Sequence, residues 1–218
     1  MIWGILPVKD LDAAKQRLSG VLSAEERQDL FRAMLADVLA ALLGVRLAGV
    51  LMITGDAEAR AMGEQYGVRI LEEVDNQGQT TAVEAAAEFL AGEGAEAIMT
   101  VPGDIPLATT AEFEQVIAKH PSGTAMSIVP AHDSRGSNCI ICSPPTAVPL
   151  RFGNDSFQPH VARARDLGIE PRIVPLPGIG LDVDTPADLA ELIARPGATR
   201  SQAYLADSGI ATRLSVPA

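Results

Sequence analysis

Three acidic residues and three basic ones occupy places in this chain where chemistry is plausible. Asp182 and Asp184 stand two apart in LDVDTP, and Asp104 stands in VPGDIPL. Residues two apart on an extended segment point to one face, so two carboxylates there can aim at a single point. A hard cation such as Mg²⁺ suits such a point, because it takes one or two carboxylates and completes its octahedron with phosphate oxygens and water. Asp184 reads alternatively as a helix-entry residue ahead of Thr185. Lys9, Lys15 and Arg17 fall close together in LPVKDLDAAKQRL, a basic concentration in an otherwise acidic chain. Such a loop suits a polyphosphate, or else is a solvated surface loop. Neither G-x-x-x-x-G-K-[ST] nor G-x-G-x-x-G occurs in it, which counts against a P-loop nucleotidase and a Rossmann dehydrogenase. Carboxylates and cations together favour metal-assisted chemistry on a nucleotide.

Other reactive types give less. The three histidines, His120, His132 and His160, are isolated, and no Ser-His-Asp set is evident. His160, near an expected helix start, reads as a substrate contact or a structural residue. Cys139 and Cys142 form a C-x-x-C inside NCIIC. That run reads as a strand, where positions three apart face opposite ways, so the thiols are expected to be small buried hydrophobes rather than a redox or metal pair.

These residues need elements to hold them. Apolar runs of strand length alternate with helix-period segments nearly throughout, the pattern of an α/β protein with a mostly parallel central sheet flanked by helices. Ile2 to Leu6, Gly49 to Thr54, Val68 to Leu71, Ala97 to Val101, Thr124 to Val129 and the run around Ile140 and Ile141 read as strands, as do the shorter Arg172 to Leu176 and Gly180 to Val183. Capping boxes at Ser23/Glu26 and Thr109/Glu112, and the Asp56 and Thr185-Pro186 starts, mark helices between them. Ligands of such sheets bind beyond strand carboxyl ends, which is where Lys15, Asp104 and Asp184 fall. Residues 1–195 are expected to form one domain, and residues 196–218 a weakly periodic tail packed on that domain or reaching a second subunit in a homodimer.

The chain has 218 residues, 47% hydrophobic and 21% charged, enough for one domain with a sizeable core. Its 28 acidic and 17 basic residues give a net charge of -11, which repels nucleic-acid backbones and anionic membranes. One Trp, two Tyr and five Phe are too few for a base-stacking platform. With no apolar stretch of about 20 residues and no leader-like start, a cytoplasmic protein is expected.

LPVK with K-x-R-L after the first strand, VPGDIPL, FGNDS followed by His160, and LDVDTP resemble, in order and spacing, the CofC/FbiD family over about Ile2 to Ile193. The resemblance implies a single-domain GT-A-like nucleotidyltransferase fold. It implies a guanylyltransferase of deazaflavin (factor-420) coenzyme biosynthesis, which condenses GTP with 2-phospho-L-lactate, phosphoenolpyruvate or 3-phosphoglycerate and releases pyrophosphate. By the same resemblance Asp104, Asp182 and Asp184 are the Mg²⁺-binding acids and, with Lys15 and Arg17, the catalytic set. GTP falls to Pro7, Lys9, Lys15, Arg17, Gly78, Thr81, Pro102 and Gly103, and the acceptor acid to Ser137, Gly153 and Ser156. Two segments depart from the family pattern. The glycine-rich base-holding segment reads Gln77-Gly78-Gln79-Thr80-Thr81-Ala82, which leaves a different base open. Asn154-Asp155 replaces a Pro-Gly pair, and if Asp155 faces the pocket it should favour an acid bearing a hydroxyl.

Overall fold

Ile2–Pro7 (β1), an apolar run with burial on both sides, begins the chain in a computed structural model that describes residues 1–9, 11, 15–73, 78–153 and 155–215. A short 3₁₀ turn at Gln16–Leu18 follows, then α1 (Ala24–Leu43), β2 (Gly49–Thr54), α2 (Ala57–Gln65), β3 (Arg69–Glu72), α3 (Gln79–Gly92) and β4 (Ala97–Thr100). The second half holds α4 (Thr110–Lys119), β5 (Ala125–Pro130), β6 (Ser137–Ser143), α5 (Phe157–Asp166), β7 (Arg172–Ile173), α6 (Pro186–Ala194), α7 (Arg200–Asp207) and α8 (Ile210–Ser215).

The strands form a seven-stranded sheet in the order β3-β2-β1-β4-β6-β5-β7. β6 runs antiparallel to both β4 and β5, whereas the other pairings are parallel. Thr100 at the end of β4 pairs with Ile140, so Ser137 at the start of β6 reaches the same edge as the carboxyl ends of β1 and β4. That reversal adds a loop from the opposite chain direction to an otherwise ordinary strand-end site.

Neighbouring strand residues divide between two apolar layers. Leu6, Met52, Met99 and Ile141 pack with α1, α2, α4, α6, α7 and α8 on one face, while Ile5, Leu51, Ile98 and Ile140 pack with α3 and α5 on the other. Cys139 belongs to the first layer and Cys142 to the second, both free and fully buried, which matches the opposed facing read from their spacing. Burial holds both thiols protonated, pushing Cys142 up to about 12 and Cys139 higher still.

Both expected capping boxes are present, with Glu26 N–H donating to Ser23 Oγ and Glu112 N–H to Thr109 Oγ1. Thr185 and Asp188 form a further one at Pro186. One expectation needs correction. Gly180 to Val183 forms no strand; its backbone is tied instead by a hydrogen bond from Val183 N–H to the Asp104 carbonyl, 3.1 Å. The segment after Pro196, weakly periodic in sequence, contains α7 and α8, which bury Leu205 and Ile210.

α7 is held by a carboxylate from α1. Asp37, 9% exposed, accepts from the Arg200 and Ser201 N–H groups at 2.8 and 2.9 Å and from Ser201 Oγ at 2.8 Å. Helix starts carry unpaired N–H groups, and Asp37 satisfies two of them from a different helix. Asp37→Ala strands those donors and should lower unfolding free energy by about 1–3 kcal/mol, with nucleotide affinity unchanged. Denaturant unfolding beside calorimetry checks both halves of that expectation. Among the described residues no helix is long and apolar enough to cross a membrane.

Candidate active site

The loop after β1 is pinned by its leucines. Leu11 and Leu18 are buried, and Leu11 N–H donates to Asp56 Oδ2 at 3.0 Å. Between those anchors Lys15 adopts a left-handed backbone (φ 55°), which turns its side chain under the sheet edge. Its Nζ lies 2.5 Å from Asp104 Oδ2 and 2.7 Å from Asp184 Oδ1, with the side chain 5% exposed. Arg17 Nη1 stands 3.8 Å from Asp184 Oδ2 and is mostly exposed.

Buried Leu181 and Val183 anchor the segment before α6, and the residues alternating with them, Asp182 and Asp184, face the cleft with Asp104. Asp188 fixes the far end, its Oδ2 accepting from Asp184 N–H at 3.1 Å and Thr185 N–H at 2.7 Å. Asn138, buried in β6, donates from Nδ2 to Asp182 Oδ1 at 3.0 Å and also reaches the Ile179 and Gly180 carbonyls.

Charge follows from this packing. Burial alone would lower the Lys15 pKa, but the Asp104 and Asp184 charges and hydrogen bonds overcome it and hold the ammonium above its usual range. For Asp184 burial works upward, and Lys15 and Arg17 outweigh it, leaving the carboxyl below its usual range. Asp182 goes the other way: burial raises it, the Asn138 hydrogen bond compensates only partly, and Asp104 adds repulsion.

Two adjoining lobes make up the cleft. The inner lobe, ≈ 230 Å³, is lined by Asp104, Asp182 and Asp184 together with Pro102, Ser137, Gly153, Ser156, Asn138, Phe152 and Gln79. The outer, ≈ 340 Å³, shares Asp182, Asp184 and Gly153 and adds Arg17, Arg135, Asp133 and Asp155. Gly153 sits at φ 137°, a conformation open to glycine alone, so no side chain can close the junction of the lobes. Asp155 lines the outer lobe, yet its charge is engaged by Arg135 through a close Nε contact and a 3.2 Å Nη2 bond, which holds its carboxyl below the usual range. An apolar hollow elsewhere, between α3 and the Pro145–Leu150 segment, has only Glu84 and Glu88 as charged lining.

The sequence-derived residues therefore separate into two groups. Asp104, Asp182, Asp184, Pro102, Ser137, Gly153 and Ser156 share the inner lobe, Lys15 bridges its acids and Arg17 lines the outer one. Pro7, Lys9, Gly78, Thr81 and Gly103 line neither lobe. Pro7 ends β1, Lys9 and Thr81 are exposed, and Gly78 precedes α3 at φ 95°. Gly103 is packed so that an added Cβ would lie 3.2 Å from Leu35 Cδ1 on α1. Gln77 and Asn154 lie outside the described residues. Asn138 and Arg135 carried no sequence signal beyond their closeness to Ser137, whereas Asp155 stood out as a departure from the family pattern and the structure adds its partner, Arg135.

Among the described residues no three acidic, His or Cys side chains form a ready-made metal cage; the Lys15 ammonium lies between two of the acids instead. Mg²⁺ needs no such cage, since it binds through one or two carboxylates plus substrate phosphates and retained water. Asp104 Oδ1 is buried with no hydrogen-bond partner, an acceptor that such a cation would satisfy. The donor set fits the ion.

Residues 2–216 match the family model described as guanylyl transferase CofC like. The chain belongs to this family. Among its CofC-like relatives, the 2-phospho-L-lactate guanylyltransferase of Methanothermobacter thermautotrophicus is 37% identical over 201 residues, 92% of this chain and 88% of that protein. The phosphoenolpyruvate guanylyltransferase of Roseiflexus castenholzii is 38% identical over 203 residues, 92% of each chain. A solved structure from Desulfovibrio desulfuricans, described as a nucleotide-diphospho-sugar transferase, superposes with TM-score 0.80 over 99% of both chains at 20% identity, a likeness of fold. The expected α/β nucleotidyltransferase fold is thus present in this CofC-like chain.

In this CofC-like site Asn138→Ala should lower turnover about tenfold with little change in nucleotide affinity, because Asp182 loses the donor that aims it. Steady-state kinetics alongside nucleotide calorimetry provides the check, and a loss confined to nucleotide binding would contradict it.

Proposed function

We propose that this protein, working in the cytosol, joins the GMP unit of GTP to the phosphate of a small phosphorylated acid. The candidates are 2-phospho-L-lactate, phosphoenolpyruvate and 3-phosphoglycerate, and the product would serve deazaflavin coenzyme synthesis. The observation that carries this reading is the convergence of three acids and two hydroxyls in one lobe, with cationic side chains at its wall and mouth. A phosphate oxygen of the acid attacks the α-phosphorus, the bond from that phosphorus to the bridging oxygen breaks, and pyrophosphate leaves with the electron pair. No catalytic base is required, because a phosphomonoester with second pKa ≈ 6 is mostly dianionic at neutral pH.

The protein's work is alignment and charge neutralisation. Lys15 and Arg17 favour the polyphosphate end, and Ser137, Ser156 and the Gly153 backbone receive the acid. Asp104, Asp182 and Asp184 would hold Mg²⁺, which when bound supplies charge neutralisation on the phosphates. Because Arg135 cancels its charge, Asp155 provides no free carboxylate to repel a second anionic group, so phosphoenolpyruvate and 2-phospho-L-lactate are accommodated as readily as a hydroxy acid.

The test is incubation with GTP, Mg²⁺ and each acid, reading pyrophosphate release and product mass. A guanylyl diphospho-acid is the expected product. No pyrophosphate with any nucleoside triphosphate across the acids would overturn the reading. Since Gln77 to Ala82 departs from the family's base-holding pattern, the assay includes all four triphosphates, and release with another base only would assign the base differently.

A further inference from the structure

We infer that His160 is a positioning residue that keeps the Ser137 hydroxyl hydrogen turned away from the ring, so that the acid-binding wall of the inner lobe retains a free O–H donor. This rests on the reading that the inner lobe takes the phosphorylated acid.

His160 lies on α5 at 1% exposure, with the Phe152 ring edge-on at 5.4 Å between centroids. The Arg151 backbone N–H donates to its Nε2 at 2.9 Å. A backbone N–H is always a donor, so Nε2 carries no hydrogen. Burial drives the ring pKa down to about 4, so the imidazole is neutral near pH 7 and its one hydrogen must lie on Nδ1. Nδ1 is 3.0 Å from Ser137 Oγ, and Ser156 Oγ is 3.2 Å from the same oxygen.

The count of hydrogens then decides the polarity of the wall. Ser137 Oγ accepts from Nδ1–H, and the two hydroxyls share one bond. Two hydroxyl hydrogens are available and one is used between the serines. Whichever way that bond runs, one O–H remains for the cavity that both serines line. A wall built this way matches acceptor-only oxygens, meaning ionised carboxylate or phosphate. Had Nδ1 been an acceptor, Ser137 would have turned its hydrogen toward the ring and one donor would be lost from the wall.

The two conservative replacements divide the roles of the ring. Asn at this position places an amide N–H near the Nδ1 site, whereas Gln extends toward the Nε2 site and can accept from Arg151 without donating to Ser137. His160→Asn should keep the acid KM within about threefold of wild type, and His160→Gln should raise it about tenfold or more. Ser137→Ala should also raise the acid KM, and adding it to His160→Gln should cost less than the two losses together, because both act on one and the same hydroxyl. Nucleotide affinity by calorimetry should be unchanged in each. A purely structural His160 would instead lower thermal stability, turnover and nucleotide affinity together, with Asn and Gln alike, and that result overturns the inference.

The wild-type protein supplies an independent reading that no folding defect can block. With three histidines in the chain, long-range ¹⁵N–¹H correlation spectra resolve the His160 ring. A neutral ring protonated at Nδ1, with its resonance shifting on addition of phosphoenolpyruvate plus GTP analogue and Mg²⁺, is expected. An Nε2-protonated or charged ring would overturn the inference. If the wild type neither binds nor converts any phospho-acid, the substrate reading fails, while the ring tautomer still reports whether Ser137 is oriented as inferred.

Discussion

Asp104→Asn is expected to reduce pyrophosphate release by about 10²–10³-fold while leaving the fold intact, because a charge aimed at the reacting centre is lost in a site shielded from water. The substitution keeps shape and removes charge. Lys15 retains Asp184 as its partner, so the packing beneath the sheet edge survives. The second oxygen, Oδ1, has no protein partner, and with the amide oxygen kept on Lys15 the substitution puts an NH2 donor where that acceptor stood. Mn²⁺ affinity in the presence of nucleotide should fall along with turnover, and the thermal midpoint should move by no more than a few degrees. Near-normal turnover with full metal affinity would remove Asp104 from the reaction.

Lys15→Met should abolish useful turnover and, in addition, invert the pH dependence of stability. The folded-state pKa of Lys15 is raised, so its contribution is complete below the unfolded value and is lost as pH rises through the folded one. Asp184 is depressed, so its contribution is present above the unfolded value and is lost as pH falls through the folded one. Wild type therefore has a broad stable window across neutral pH. Without the ammonium, Asp184 faces Asp104 and Asp182 as like charges with less cationic charge to offset its burial, its carboxyl moves up, and stability grows as acid protonates it. The loss near neutrality should be about 3 kcal/mol, toward the low end for a broken buried pair because solvent screens the half-exposed Asp184. Denaturant midpoints compared at about pH 5 and about pH 8 should cross or converge toward acid relative to wild type. Parallel profiles for the two proteins would show that the ammonium compensates nothing.

How much of this was legible beforehand depended on whether a feature is local. Caps are local, so Ser23, Thr109, Asp56 and Thr185 could be recognised from residue types at fixed offsets, and all four start helices in the structure. Strand identity follows from apolar runs, and the opposed facing of Cys139 and Cys142 follows from a two-residue period. Strand order has no such signature. Nothing in SNCIICS says that β6 runs backwards between β4 and β5, and that reversal brings Ser137 and Asn138 to the acids. In the tail the structure shows a capping box at Thr199 and Gln202, but the apolar positions that follow it are few and Asp37 lies far away in sequence. For Lys15 the residue type identified a cation near phosphates, whereas its left-handed backbone and two carboxylate partners depend on the folded loop.

The placement of the two buried thiols has a use unrelated to catalysis. Each is shut away in a different apolar layer, one beneath the α1 side of the sheet and one beneath the α3–α5 side. Burial keeps both protonated, so neither should react with an alkylating reagent in the closed protein. Modification then requires the covering helices to lift, and the rate at each sulfur becomes a clock for the opening of its own side. Mass spectrometry of the peptides bearing Cys139 and Cys142 would time those openings separately in one unaltered molecule. Ligands that brace the cleft should slow the clock on whichever side carries the motion the cleft uses.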